Sequence, residues 1–184
     1  PYTTMSFGAE AQIVRELGKF LMNGGLFRGE KPVMWSPVEK TALAEAEIEY
    51  HDHKSTQIWL RFPVIKSKID ALEGAAAVIW TTTPWTMPGN RAVAVAAEPT
   101  YVRLAVTEIA AGSLARVGEE IILAMALVDQ VCAEVGVTGR NIVAEFLGSV
   151  VAGATLSHPW RGQGYDFDVP VLAANFVEMD TGSG

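Results

Sequence analysis

The chain has 184 residues, of which 49% are hydrophobic and 19% charged, proportions that exclude a disordered or fibrous protein. That length builds one domain with a sizeable core, or a domain plus appendages. A net charge of −7 excludes a broad phosphate-tracking surface, which needs clustered Lys and Arg, but permits a narrow contact with the tip of a nucleic acid.

In chain order, the opening segment predicts one helix flanked by loops. Ile13, Val14, Leu17, Phe20 and Leu21 recur at helical spacing, and Asn23-Gly24-Gly25 stops the pattern. In "TALAEAEIEY", propensity and periodicity disagree. Ala, Leu and Glu favour a helix, yet Ala44, Ala46, Ile48 and Tyr50 alternate with Glu45, Glu47 and Glu49. The alternation predicts a strand with an acidic outer face. After the polar turn "HDHKS", Ile58, Leu60 and Phe62 alternate again. Further strands are expected over Ala76–Thr82, Arg91–Ala97, Tyr101–Val106, Glu120–Ala126, Val143–Leu147 and Val171–Val177, separated by Gly and Pro turn signals. A second helix over Leu127–Glu134 should end at Gly136. Its Cys132, the one cysteine, reads as a buried structural thiol in a reducing, cytoplasmic setting. Many short strands with few helices predict an α+β, mainly β fold: a closed or nearly closed β-barrel with peripheral helices. Residues 1–40 read as a helical connecting arm and residues 41–184 as the barrel-like domain. No apolar run reaches membrane-spanning length, and the first residues lack the layout of a secretion signal.

Most candidate chemistry reads as ordinary structure. His51 and His53 flank Asp52 in a polar turn, and no metal-ligand spacing is visible, so no metal is expected. Ser157, His158 and Asp166 sketch a relay, but neighbours in sequence seldom form one. The "GQG" of "WRGQGYDF" lacks the strand, helix and third glycine of a nucleotide loop, and no P-loop is present.

The exception is "WTTTPWTMPGN", residues 80–90. On a strand Thr81 and Thr83 point one way, Trp80 and Thr82 the other. Pro84 removes a backbone donor and ends the strand, and Pro88-Gly89-Asn90 completes a reversal. A strand end of this kind sets hydroxyls beside an indole. Threonine brings a donor, an acceptor and a fixed methyl from a side chain stiff at χ1, which suits a small pocket that measures a ligand and hydrogen-bonds it. An edge strand with a Pro-rich turn accounts for the same composition.

"WTTTPWTMPGNRAVAV" resembles the threonine-rich editing segment of isoleucyl-tRNA synthetases, WTTTPWTLPANRA. Related valyl and leucyl enzymes carry arginine at the position of Thr83. "RGEKPVMWSPVEKTALAEAEIEY" is similar to that family's approach to its insertion, and "DVPVLAANFVEMDTGSG" to the strand entering its editing loop. The resemblance covers nearly the whole chain. It implies a β-barrel-like editing insertion that hydrolyses valine from mischarged valyl-tRNA(Ile), with valyl-adenylate as a further candidate substrate. It implies that Thr81, Thr82 and Thr83 carry the catalytic site, that Trp80, Thr86, Asn90, Gly182, Ser183 and Gly184 bind substrate, and that a positioned water attacks the ester. The expected partners are the valine-bearing 3′-terminal adenosine of tRNA(Ile) and the rest of the synthetase, with no membrane. No cofactor is expected here, because the parent's ATP- and Mg-dependent activation belongs to another domain whose HIGH and KMSKS signatures are absent. Met87 and Gly89 replace the usual Leu and Ala. The family continues past "TGSG" into a histidine and an aspartate that holds the substrate ammonium, so an incomplete site, acting as a non-catalytic binding module for the tRNA 3′ end, is the alternative.

Overall fold

A computed structural model describes residues 3–184, and the chain divides into two units, Pro1–Asp52 and His53–Gly184. Pro1 and Tyr2 of the expected arm lie outside the described residues.

The first unit carries helix α1, Phe7–Met22. The Ser6 hydroxyl caps its start, accepting from the Ala9 N–H at 3.4 Å, with Glu10 in the first turn and Lys19 in the last. Asn23 and Gly24, the latter at φ +80°, end it. Two short strands follow, β1 (Trp35–Ser36) and β2 (Thr41–Ala42), paired antiparallel. The strand expected through Tyr50 does not form. Glu45–Glu47 instead make one 3-10 turn, closed by the Glu47 carboxylate accepting from the Ala44 N–H at 2.7 Å. Helical propensity wins here because no neighbouring strand offers Ala44–Tyr50 a ladder to reward the alternation.

The second unit is one mixed eight-stranded sheet. Its strands are β3 (Ile58–Lys66), β4 (Ala76–Thr81), β5 (Val93–Val95), β6 (Thr100–Ile109), β7 (Glu120–Ala124), β8 (Val137–Leu147), β9 (Thr155–Ser157) and β10 (Asp168–Ala173). The spatial order is β5-β10-β9-β3-β4-β7-β6-β8. The expected barrel closure is not found. β5 and β8 stand at opposite edges, so the sheet is open.

Helix α2, Val128–Val135, buries Val128, Val131, Cys132 and Val135 and ends at Gly136 in the left-handed region, φ 82°. A Cβ on Gly136 would lie 3.1 Å from Ser113, so both backbone and space call for glycine. A short helix α3, Gly148–Val151, follows β8.

Several strands depart from expectation for local reasons. β5 is shorter because Arg91 is drawn over the Phe167 ring, 3.8 Å from its centre, and the Ala96 N–H donates to the Tyr101 hydroxyl at 3.1 Å. β8 starts earlier, through the turn-like Thr138-Gly139-Arg140-Asn141, because register shifts against β6 leave Thr138 unpaired and let Gly139, Arg140 and Asn141 pair with Glu108, Val106 and Ala105. β10 is displaced toward Asp168, which pairs with Ser157 of β9, and ends before Phe176.

The pairing of β4 with β7 positions the site. These strands run parallel but share only two residue pairs, Ala76↔Ile121 and Ala77↔Ile122. Beyond them β4 pairs with β3 alone, and β7 with β6 alone. The last residues occupy the gap, where Ser183 O accepts from the Ala124 N–H at 2.9 Å.

Candidate functional site

The threonine segment stands at the carboxyl end of β4. Trp80 faces Trp59 of β3 in register, and Thr81 faces Ile58. At Pro84 the chain leaves the ladder and winds into a six-residue 3-10 helix, Pro84–Gly89, entered through Thr83. Pro84 suits this position because an N-terminal N–H has no partner within the helix.

The hydroxyls form a connected string. Thr81 Oγ1 lies 3.1 Å from Thr83 Oγ1 and accepts from the Thr83 N–H at 3.0 Å. Thr83 Oγ1 lies 3.5 Å from Thr86 Oγ1, which donates to Thr83 O at 2.8 Å. Thr82, Thr83 and Thr86 are exposed and Thr81 is half-buried. Hydroxyls held by one another at the surface keep spare donor and acceptor capacity for a ligand. Thr82 is not part of this string; its carbonyl accepts from Ser55 Oγ at 3.2 Å.

A recess of about 320 Å³ opens beside this segment. Trp80, Asn90, Gly182, Ser183 and Gly184 line it, together with Glu178 and Thr181, neither of which sequence reasoning singled out. Glu178 is an exposed acidic residue of this wall. No sequence pattern flagged it, because nothing local to "NFVEMD" says that this stretch folds back onto β4. Trp80, Thr181 and Gly182 also line a second recess of about 370 Å³ with Gln57, Trp59 and Glu134. The Trp80 indole therefore stands between the two hollows. Gly182, at φ +66°, packs beside it: a Cβ there would lie 3.6 Å from Cε3.

The structure thus brings together Trp80, Asn90 and the 182–184 loop in one recess. It brings Thr81, Thr83 and Thr86 together in an adjoining string that is not part of the recess wall. Asn90 joins the two groups at the end of the 3-10 helix, where its N–H donates to Met87 O at 3.1 Å.

The other candidates are structural. Ser157 Oγ accepts from Arg161 Nε at 2.9 Å, and Asp166 accepts from the Gly162 N–H at 2.6 Å. Neither bonds the His158 ring; Ser157 Oγ donates instead to the His158 carbonyl at 3.3 Å. That ring is 1% exposed, with Nδ1 accepting from the Trp160 N–H at 3.2 Å and Nε2 3.0 Å from Met87 O. A carbonyl only accepts, so Nε2 carries the proton. Phe167 and Tyr165 pack on it, with ring centres 5.0 and 5.2 Å away. His51 is exposed, 3.6 Å from Glu49. Among the described residues no group of three or more His, Cys, Asp or Glu is placed to hold a metal ion. None of their helices is long and apolar enough to cross a membrane.

A family model described as tRNA synthetases class I (I, L, M and V) matches residues 1–179. The isoleucine–tRNA ligase of Gluconobacter oxydans (strain 621H) is 53% identical over 185 residues, covering 100% of this chain and 19% of that protein. That of Bradyrhizobium diazoefficiens is 49% identical over 186 residues, with the same shares. The chain therefore spans about a fifth of the length of these curated relatives. Among solved structures, the crystal structure of GlLeuRS-CP1 matches with a TM-score of 0.52 and 17% identity, over 70% of this chain and 52% of that one. At that identity the likeness speaks for the fold. The chain belongs to the class I tRNA synthetase family, and its curated relatives are isoleucine–tRNA ligases.

Proposed function

We propose that this chain is the editing domain of an isoleucyl-tRNA synthetase, acting in the cytoplasm and removing valine from mischarged tRNA(Ile). Residues 1–40 serve as the connecting arm, residues 41–184 carry the editing fold, and the remainder of the synthetase is the partner in the same chain. The observation that carries this reading is the recess walled by Trp80, Asn90 and Gly182–Gly184 beside the exposed string of threonine hydroxyls.

The chemistry explains why such a domain is needed. One methylene in an apolar pocket gives about 1–3 kcal/mol of discrimination, isoleucine against valine in this enzyme class being the standard case. A second pocket sorts by exclusion: valine fits, and isoleucine's extra carbon overpacks a rigid wall at a cost of typically about 1–3 kcal/mol. Trp80, braced by Gly182, is that wall. The hydroxyls of Thr81, Thr83 and Thr86 orient the terminal ribose and a water held near the scissile ester, and backbone N–H groups of the segment stabilise the developing oxyanion. Thr82, whose carbonyl accepts from Ser55 Oγ, supports the strand end. The Glu178 carboxylate attracts the substrate's α-ammonium.

The test is deacylation of valyl-tRNA(Ile) and isoleucyl-tRNA(Ile) by the purified chain. Valine should be released about tenfold or more faster than isoleucine. Equal loss of both refutes the sieve. Loss of neither, with a non-hydrolysable valyl-adenosine analogue still bound, selects the non-catalytic binding module.

A further inference from the structure

We propose that His158 is a positioning residue for the editing site, setting the threonine string and Asn90 through a hydrogen bond from Nε2 to the Met87 carbonyl. The proposal rests on the editing reading given above. His158 follows β9, distant in sequence from Met87, yet the bond between them is 3.0 Å long and fully buried. Met87 lies within the 3-10 helix whose first turn carries Thr86. Its carbonyl accepts twice, from His158 Nε2 and from the Asn90 N–H at 3.1 Å. One side of this carbonyl thus fixes the residue that lines the recess, and the other is fixed by the histidine.

The ring is itself over-determined. The Trp160 N–H donating to Nδ1 selects the tautomer that places the proton on Nε2, aimed at Met87 O. Phe62, Trp160, Tyr165 and Phe167 hold the ring plane. Met87 is 1% exposed, so the carbonyl has no water to replace a lost donor. Without the bond, the 3-10 helix loses the buried donor that ties its Met87 carbonyl to the segment after β9, while its start stays held by the Thr83 N–H to Thr81 Oγ1. The Thr83 and Thr86 hydroxyls and the Asn90 backbone then lose their fixed orientation, which a water-attack mechanism depends on.

The experiment compares the chain with His158→Gln, His158→Phe and the remote control Val131→Ala. Gln presents an amide N–H near the position of Nε2. Phe keeps a ring in the same space but donates nothing. Amide NMR spectra and single-turnover deacylation of valyl-tRNA(Ile) are measured alongside thermal melting. His158→Phe should shift the Thr83, Thr86 and Asn90 amides and lower the deacylation rate about tenfold or more with substrate KM little changed. His158→Gln should keep the wild-type amide positions and most of the rate. Val131→Ala should lower the melting temperature without slowing turnover. A similar loss of rate in His158→Phe and Val131→Ala would mark His158 as merely structural and overturn the proposal. If the wild-type chain releases no valine, the editing reading fails and the amide spectra decide alone. Unmoved Thr83, Thr86 and Asn90 amides in His158→Phe then overturn the positioning role.

Discussion

Thr83 is the residue on which the string depends, because its hydroxyl lies within reach of both Thr81 and Thr86. Valine has the same shape without the donor. Thr83→Val should therefore change unfolding free energy by about 0.5 kcal/mol or less, as expected for an exposed side chain. It should cost deacylation about tenfold or more if the hydroxyls orient ribose and water. Urea titration and single-turnover kinetics on one sample separate these effects. At this scale the sequence was informative where chemistry is unusual and silent where it depends on the fold. Four threonines beside two tryptophans within eleven residues are unusual in a packed strand or a loop, so Trp80–Asn90 stands out unaided. Glu178 and Thr181 do not, since their place beside β4 follows from a loop returning across the sheet. Nor did His158 reveal its partner: its bond runs to a backbone carbonyl, which has no sequence signature.

Elements announced by their own turn chemistry were legible. α1 shows its stop at Asn23-Gly24, and α2 shows its stop at Gly136, whose φ of 82° only glycine adopts cheaply. The opposite case is "TALAEAEIEY", where alternation predicted a strand and Glu47 closes a 3-10 turn instead. Gly148 offers a stability test of the junction between β8 and α3. It is buried, its N–H donates to Pro99 O at 2.9 Å, and a Cβ would collide with Ala96 O and lie 2.8 Å from the Tyr101 ring. Gly148→Ala should destabilise the chain by about 2 kcal/mol or more, since backbone cannot step aside as a flexible side chain does. A smaller change in the urea midpoint would mean that the Ala96 loop gives way.

α2 makes a second prediction. Burial pushes the Cys132 thiol above its ordinary value, Arg140 drawing it down and Asp129 raising it further. Burial likewise raises Tyr101, against the lowering effect of the Ala96 N–H. In both, the native state keeps a proton that the unfolded chain has released. The stability they contribute is complete below the unfolded values, about 8.5 for Cys and about 10 for Tyr. It is lost as pH rises through those values toward the higher folded ones. The urea midpoint should fall as pH rises from neutral through that range. Cys132→Ala should flatten the first part of the decline.

For the whole molecule, fold class was legible but closure was not. Period-two patterns identify strands and say nothing of which strands meet at the ends of a sheet. The consequence falls on the recess. A closed ladder between β4 and β7 would leave no room where Trp80, Ala124 and Ser183 now meet. The open gap admits the 181–184 loop and leaves a recess against it. An acidic chain with so confined a site fits a partner that presents only its terminal nucleotide.

The proposed function requires this recess, with its adjoining hydroxyls, to take a valine-bearing adenosine and refuse the isoleucine form. NMR titration with non-hydrolysable valyl- and isoleucyl-adenosine analogues tests it most directly. The valyl analogue should shift Trp80, Thr83, Asn90 and Gly182, and the isoleucyl analogue should bind about tenfold or more weakly. Equal affinity for the two, or shifts confined to residues remote from Trp80, would contradict it.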